Sequence, residues 1–139
     1  MTGLETIRVA RGLLLDLASR ARAALPRECC GLLVGSARRV EEGVPAANVD
    51  PNPARYQVDP AVHIELNRKL RGTGRCVMGV YHSHPRGGAV PSPSDVAEAF
   101  YPEFLHVIVA PSAANGPEIR AYRISGGVVR EVAIEEESE

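Results

Sequence analysis

The chain has 139 residues, 45% hydrophobic and 24% charged, with a formal net charge of -1 at pH 7, the balance of one soluble globular domain and not of a disordered chain. No basic excess is available to neutralise phosphates, so nucleic acid is not expected as a partner. The apolar runs fall short of a bilayer span, so no membrane contact is expected, and three cysteines without a C-x-x-C pair fit a reducing cytoplasm better than a disulfide framework.

Residues 4–9 alternate weakly and predict a first strand. Over residues 10–25, Leu13, Leu14, Leu17, Ala18, Ala21 and Leu25 form one helical stripe that ends at Pro26. The run from Gly12 to Leu15 is cut short by Asp16 with no cleavage pattern behind it, so it is not read as a signal peptide. Residues 28–34 predict a buried strand on which Glu28 and Cys30 share a face. A carboxylate among apolar neighbours needs a partner or a function. Residues 40–49 predict a second strand, broken by Gly43 and Pro45, then a loop over residues 50–53 and a short edge strand over residues 56–58. Asp59 followed by Pro60 is a helix start, with Val62, Leu66 and Leu70 at four-residue steps, and Gly72-Thr73-Gly74 closes it.

Residues 76–81 are apolar and β-prone, which puts His82 and His84 on the end of a strand. Side chains two apart on a strand point the same way, so both imidazoles can reach one cation while Ser83 faces the opposite side. Pro85 stops the strand, a glycine-containing loop follows, and Ser92-Pro93-Ser94-Asp95 opens a helix continuing to Phe100, which carries Asp95 back toward the histidines. Two neutral nitrogens, one carboxylate oxygen and a fourth position left to water make the three-ligand plan of a catalytic zinc centre. Ser92-x-x-Asp95 is also a helix capping box. Residues 104–109 read as an interior strand, and residues 119–124 and 128–134 as a hairpin through Ser125-Gly126-Gly127. Residues 135–139 are expected to be an acidic mobile tail behind a single domain over residues 1–134. The fold class is α/β (α+β), with a mixed, largely antiparallel sheet flanked by three helices. His63 and His106 are read as structural residues with nothing at ligand spacing beside them, and Cys29, Cys30 and Cys76 as small buried apolar residues.

The run His82-x-His84-Pro85, then after a five-residue loop Pro91-Ser92-x-x-Asp95, resembles the signature of the JAMM (MPN-plus) zinc metalloproteases, and Glu28-Cys29-Cys30-Gly31 resembles the E-x-C-G run of that family. The likeness covers nearly the whole chain and is to the small prokaryotic type. It implies the MPN/JAMM fold, related to that of the cytidine deaminases, and one Zn2+ per chain on His82, His84 and Asp95. It also implies Glu28 as the catalytic general base and Ser92 as the catalytic donor to the developing oxyanion. The implied substrate is a ubiquitin-like or sulfur-carrier protein, cut at a peptide or isopeptide bond beside its C-terminal Gly-Gly. Homodimerisation is left open. A non-catalytic scaffold of the same fold is the alternative, and the presence of all five residues weighs against it. A deaminase reading lacks the P-C-x-x-C half of its signature.

Overall fold

The computed structural model describes residues 5–52 and 55–138, so Leu4, Pro53 and Glu139, which fall in the expected first strand, loop and tail, lie outside the described residues. Seven strands and three helices follow in the order β1 (Thr6–Ala10), α1 (Arg11–Ala24), β2 (Cys30–Ser36), β3 (Arg39–Ala46), α2 (Pro60–Leu70), β4 (Cys76–Ser83), α3 (Pro93–Ala97), β5 (Leu105–Ala110), β6 (Glu118–Ser125) and β7 (Val128–Glu137). The α+β expectation is met, with a difference in closure. The strands form a closed barrel in the order β1-β3-β2-β4-β5-β6-β7, because β1 runs parallel to both β3 and β7 and joins the two ends of the sheet. Four of the seven pairings are antiparallel and three parallel.

The core follows the strand period. Tyr81, Leu105, Val107 and Val109 are buried with Leu17 and Ala21 of α1 and with Ile7 and Leu33. Ile108 and Ala110, on the other face of β5, join Tyr122, Ile124 and Ala89 in a second cluster. Gly79 lets β4 and β5 approach, since a Cβ there would lie 1.9 Å from the Leu105 carbonyl oxygen. Tyr81 lies over Gly31 in the same way, with the Tyr81 ring 2.4 Å from where a Cβ would stand.

Five local expectations change. Glu28 stands two residues before β2, a shift that strand ends commonly show. β3 continues through Gly43 and Pro45, because β1 pairs only with its Arg39 and Val40 and the second half of β3 is an edge where a missing N–H costs no ladder bond. α3 stops at Ala97 instead of Phe100. Pro102 disfavours helical backbone at Tyr101, and the Tyr101 and Phe104 rings stack on each other at 4.7 Å between centroids.

The expected mobile acidic tail is instead the end of β7 through Glu137, in parallel register with Arg8, Val9 and Ala10 of β1. Arg39 and Arg8 face Glu137 at 2.9 and 3.8 Å, which offsets the repulsion among the acidic residues. The segment over residues 56–58 is a single bridge, Asn48 to Val58. Among the described residues no helix is long and apolar enough to cross a membrane.

Candidate metal centre

The end of β4 places the site. Tyr81 points into the first core cluster, so its neighbour His82 points to the opposite face, where it is fully buried. Ser83 turns back toward β2. Its backbone N–H donates to the Cys29 carbonyl at 3.0 Å, and its Oγ accepts from the Cys29 N–H at 2.8 Å. This pairing locks the residue after Glu28 to the residue between the two histidines, a tie with no signal in the local sequence pattern.

His84 is held from the loop that follows. Its Nδ1 donates to the Gly88 carbonyl at 3.1 Å, and the Ala89 N–H donates to Glu118 Oε1 at 2.8 Å, while the Tyr122 hydroxyl donates to the Ala89 carbonyl.

Asp95 arrives through α3, whose first turn is a complete capping box: Ser92 Oγ accepts from the Asp95 N–H at 3.1 Å, and Asp95 Oδ2 accepts from the Ser92 N–H at 2.9 Å. The same Oδ2 faces His84 Nε2 at 3.0 Å and His82 Nε2 at 3.2 Å, and the two Nε2 atoms are 3.3 Å apart.

These distances fit a metal ion. Donor atoms bonded to tetrahedral zinc at about 2.0–2.1 Å stand roughly 3.3–3.4 Å from one another, close to the three separations here. The donor chemistry agrees. With His84 Nδ1 donating its proton to Gly88, the Nε2 of a neutral ring turns a lone pair toward the Asp95 carboxylate, an arrangement that a bound cation or a second ring proton satisfies. His82, His84 and Asp95 are the one group of this kind among the described residues.

Burial lowers the His82 pKa, whereas for His84 the hydrogen bonds to Asp95 and Gly88 outweigh burial and raise it. Burial would raise the Asp95 pKa, but the hydrogen bonds of His82 and His84 hold it far below the carboxylate range. A structural site would close with thiolates. Here burial pushes Cys30 up to about 12 and raises Cys29 as well, so both stay protonated and fit the structural reading, whereas Cys76, at the exposed start of β4, is not the buried residue expected.

Glu28 is 9% exposed. Burial pushes its carboxyl up to about 7, and it lies within the electrostatic reach of His84, Asp95 and Asp50. A carboxyl poised near neutrality beside a cluster that could hold a metal ion is suited to proton transfer at pH 7.

Beside the cluster runs a cleft of about 500 Å³, lined among others by Tyr56, Ser92, Asp95, His63, Tyr101 and Phe104. Arg55 and Glu98, which also line it, pair with each other. His106 also lines it, buried, with a pKa pushed down to about 4 chiefly by that burial. The parallel register of Val80 with His106 puts His106 on the His82 face, a placement that depends on strand order and so is invisible along the chain.

Comparison with known proteins gives the family. The family model of prokaryotic homologs of the JAB domain matches residues 10–125. The chain is 39% identical over 92 residues to a probable TtuB-protein conjugate cleaving protease of Thermus thermophilus, covering 66% of this chain and 62% of that protein. It is 32% identical over 117 residues to the CysO-cysteine peptidase of Mycobacterium tuberculosis, covering 83% and 80%. A solved protein of Desulfitobacterium hafniense superposes with a TM-score of 0.86 at 31% identity, over 96% of this chain and 94% of that one. With the family match running from the start of α1 to the end of β6, this chain belongs to the prokaryotic JAB-domain family.

Proposed function

We propose that the chain is a single-domain zinc metallopeptidase of the cytoplasm that cuts the peptide or isopeptide bond following the C-terminal Gly-Gly of a ubiquitin-like or sulfur-carrier protein. The observation that carries the reading is the convergence of His82 Nε2, His84 Nε2 and Asp95 Oδ2, all within 4.8 Å of one another, beside a Glu28 carboxyl raised to about 7. The substrate class rests on the relatives that cleave TtuB conjugates and CysO-cysteine.

His82, His84 and Asp95 would hold one zinc ion per chain. When bound, zinc is a Lewis acid that makes water a nucleophile at neutral pH. Glu28 takes the proton as water attacks the carbonyl carbon and passes it to the leaving nitrogen, so that the amine departs neutral. Ser92 Oγ already accepts from the Asp95 N–H, which leaves its O–H free to donate to the carbonyl oxygen as negative charge develops there. The cleft orients the segment beside the cut bond.

The test is incubation of the zinc-loaded protein with ubiquitin-like and sulfur-carrier proteins that bear C-terminal extensions or cysteine adducts, read by intact mass. Loss of everything beyond Gly-Gly is the expected result. Intact substrates with a fully metallated protein would return the chain to the non-catalytic scaffold reading.

A further inference from the structure

The two imidazoles of the cluster are held by different means. His84 has the arrangement usual for a metal-ligating histidine, its second ring nitrogen hydrogen-bonded to a fixed carbonyl, here that of Gly88 at 3.1 Å. His82 lacks it. Its Nδ1 is buried and has no hydrogen-bond partner among the described residues. The torsion that turns an imidazole about its Cβ–Cγ bond is broad, so a ring without that hydrogen bond needs another restraint if its Nε2 is to stay on one point.

That restraint lies against the ring face. The Tyr56 ring stacks on His82 with centroids 4.1 Å apart and planes 15° from parallel. Tyr56 comes from a stretch between β3 and α2 with no strand or helix of its own, so its place must be set by something else. Asn48 does this with its full bonding capacity. Its Nδ2 donates to the Glu28 carbonyl at 3.3 Å and to the Arg55 carbonyl at 3.0 Å. Its Oδ1 accepts from the N–H groups of Asp50 and Gln57, both at 3.0 Å. Residues 55 and 57 are thus tied on either side of Tyr56, and the same amide holds the backbone of Glu28.

We infer that Tyr56, clamped by Asn48, is a positioning residue for His82: its flat face fixes the imidazole plane in place of the absent hydrogen bond. The inference rests on His82, His84 and Asp95 being the metal ligands. It also joins the ligand to the base, because a loosened Asn48 frees both the Tyr56 ring and the Glu28 carbonyl.

The experiment is zinc affinity, by competition with a chromophoric chelator, together with the visible absorption of the cobalt-substituted protein, on native protein, Tyr56→Phe, Tyr56→Ala, Tyr56→Leu and Asn48→Ala. Tyr56→Phe keeps the face and should stay within about twofold of native. Tyr56→Ala and Tyr56→Leu should bind zinc about tenfold or more weakly, in the range that loss of a ligand's outer support produces, and should shift the cobalt spectrum; Asn48→Ala should move the same way. Tyr56→Leu fills the space without the flat face, so it decides the matter if Tyr56→Ala does not fold. Cooperatively melting Tyr56→Leu with native zinc affinity and an unchanged cobalt spectrum would overturn the inference while leaving the metal site standing. Native protein that takes up no zinc would instead overturn the metal-site reading and this inference with it.

Discussion

The backbone N–H of Ser92 donates to Asp95 Oδ2 at 2.9 Å, and that same oxygen faces both imidazoles at 3.0 and 3.2 Å. The helix cap and the proposed ligand are one group. The capping box fixes the rotamer of Asp95 before any cation arrives, which spares the ordering of a flexible carboxylate on binding.

Asp95→Ala removes a ligand and half of the capping box together. Metal content should fall from about one equivalent to near zero, and the metal-free protein should lose about 1 kcal/mol from the cap. Atomic absorption and a thermal melt read the two effects separately. Full metal retention would show that Asp95 is only a cap.

Ser92→Ala should keep its metal, lose a similar cap contribution, and turn over roughly a hundredfold more slowly with KM little changed, the pattern for a donor that acts only as charge develops. Steady-state kinetics decide. A native rate would leave Ser92 with its capping role alone.

Glu28→Gln should retain metal and lose nearly all turnover. In the native protein kcat/KM should rise with pH on a limb set by Glu28, near its raised value of about 7 or below it once a cation is bound, since the base works ionised. Stability moves oppositely. The folded protein holds the Glu28 proton to higher pH than the unfolded chain, so metal-free protein loses stability as pH rises from about 4.5 to 7, by on the order of 3 kcal/mol. Glu28→Gln removes that loss and should be the more stable protein at pH 8. Denaturant melts of the metal-free forms check this.

His106 has the opposite sign. Burial holds its pKa down at about 4, so the unfolded chain takes up the proton first and stability falls as pH drops through the window from about 6.5 to 4, again by on the order of 3 kcal/mol. His106→Leu should flatten that limb. An unchanged acid limb in the same melts would mean that another group sets it.

Gly79→Ala should destabilise strongly, by several kcal/mol, since its Cβ would meet the backbone of Leu105 at 1.9 Å and cannot be relieved by a rotamer change. A melt within 1 kcal/mol of native would show that β4 and β5 can separate without cost.

What the sequence by itself determined is what depends on short spacings. Two histidines at the strand period share a face whatever surrounds them, and Ser92-x-x-Asp95 caps a helix through bonds that span three residues, so the cluster of His82, His84 and Asp95 and its loop were legible in the chain itself. The stripe of α1 and the start of α2 at Asp59 were legible for the same reason.

Only the tertiary structure decided the rest. Closure of the barrel depends on β1 lying parallel to two strands far away in sequence, and it is this partner that turns residues 135–137 into strand where composition alone suggests a mobile tail. His106 joins the cleft through the β4–β5 register, and Tyr56 reaches His82 through bonds made by Asn48. Contacts of this kind have no period along the chain, because they are chosen by which distant surfaces must be buried together.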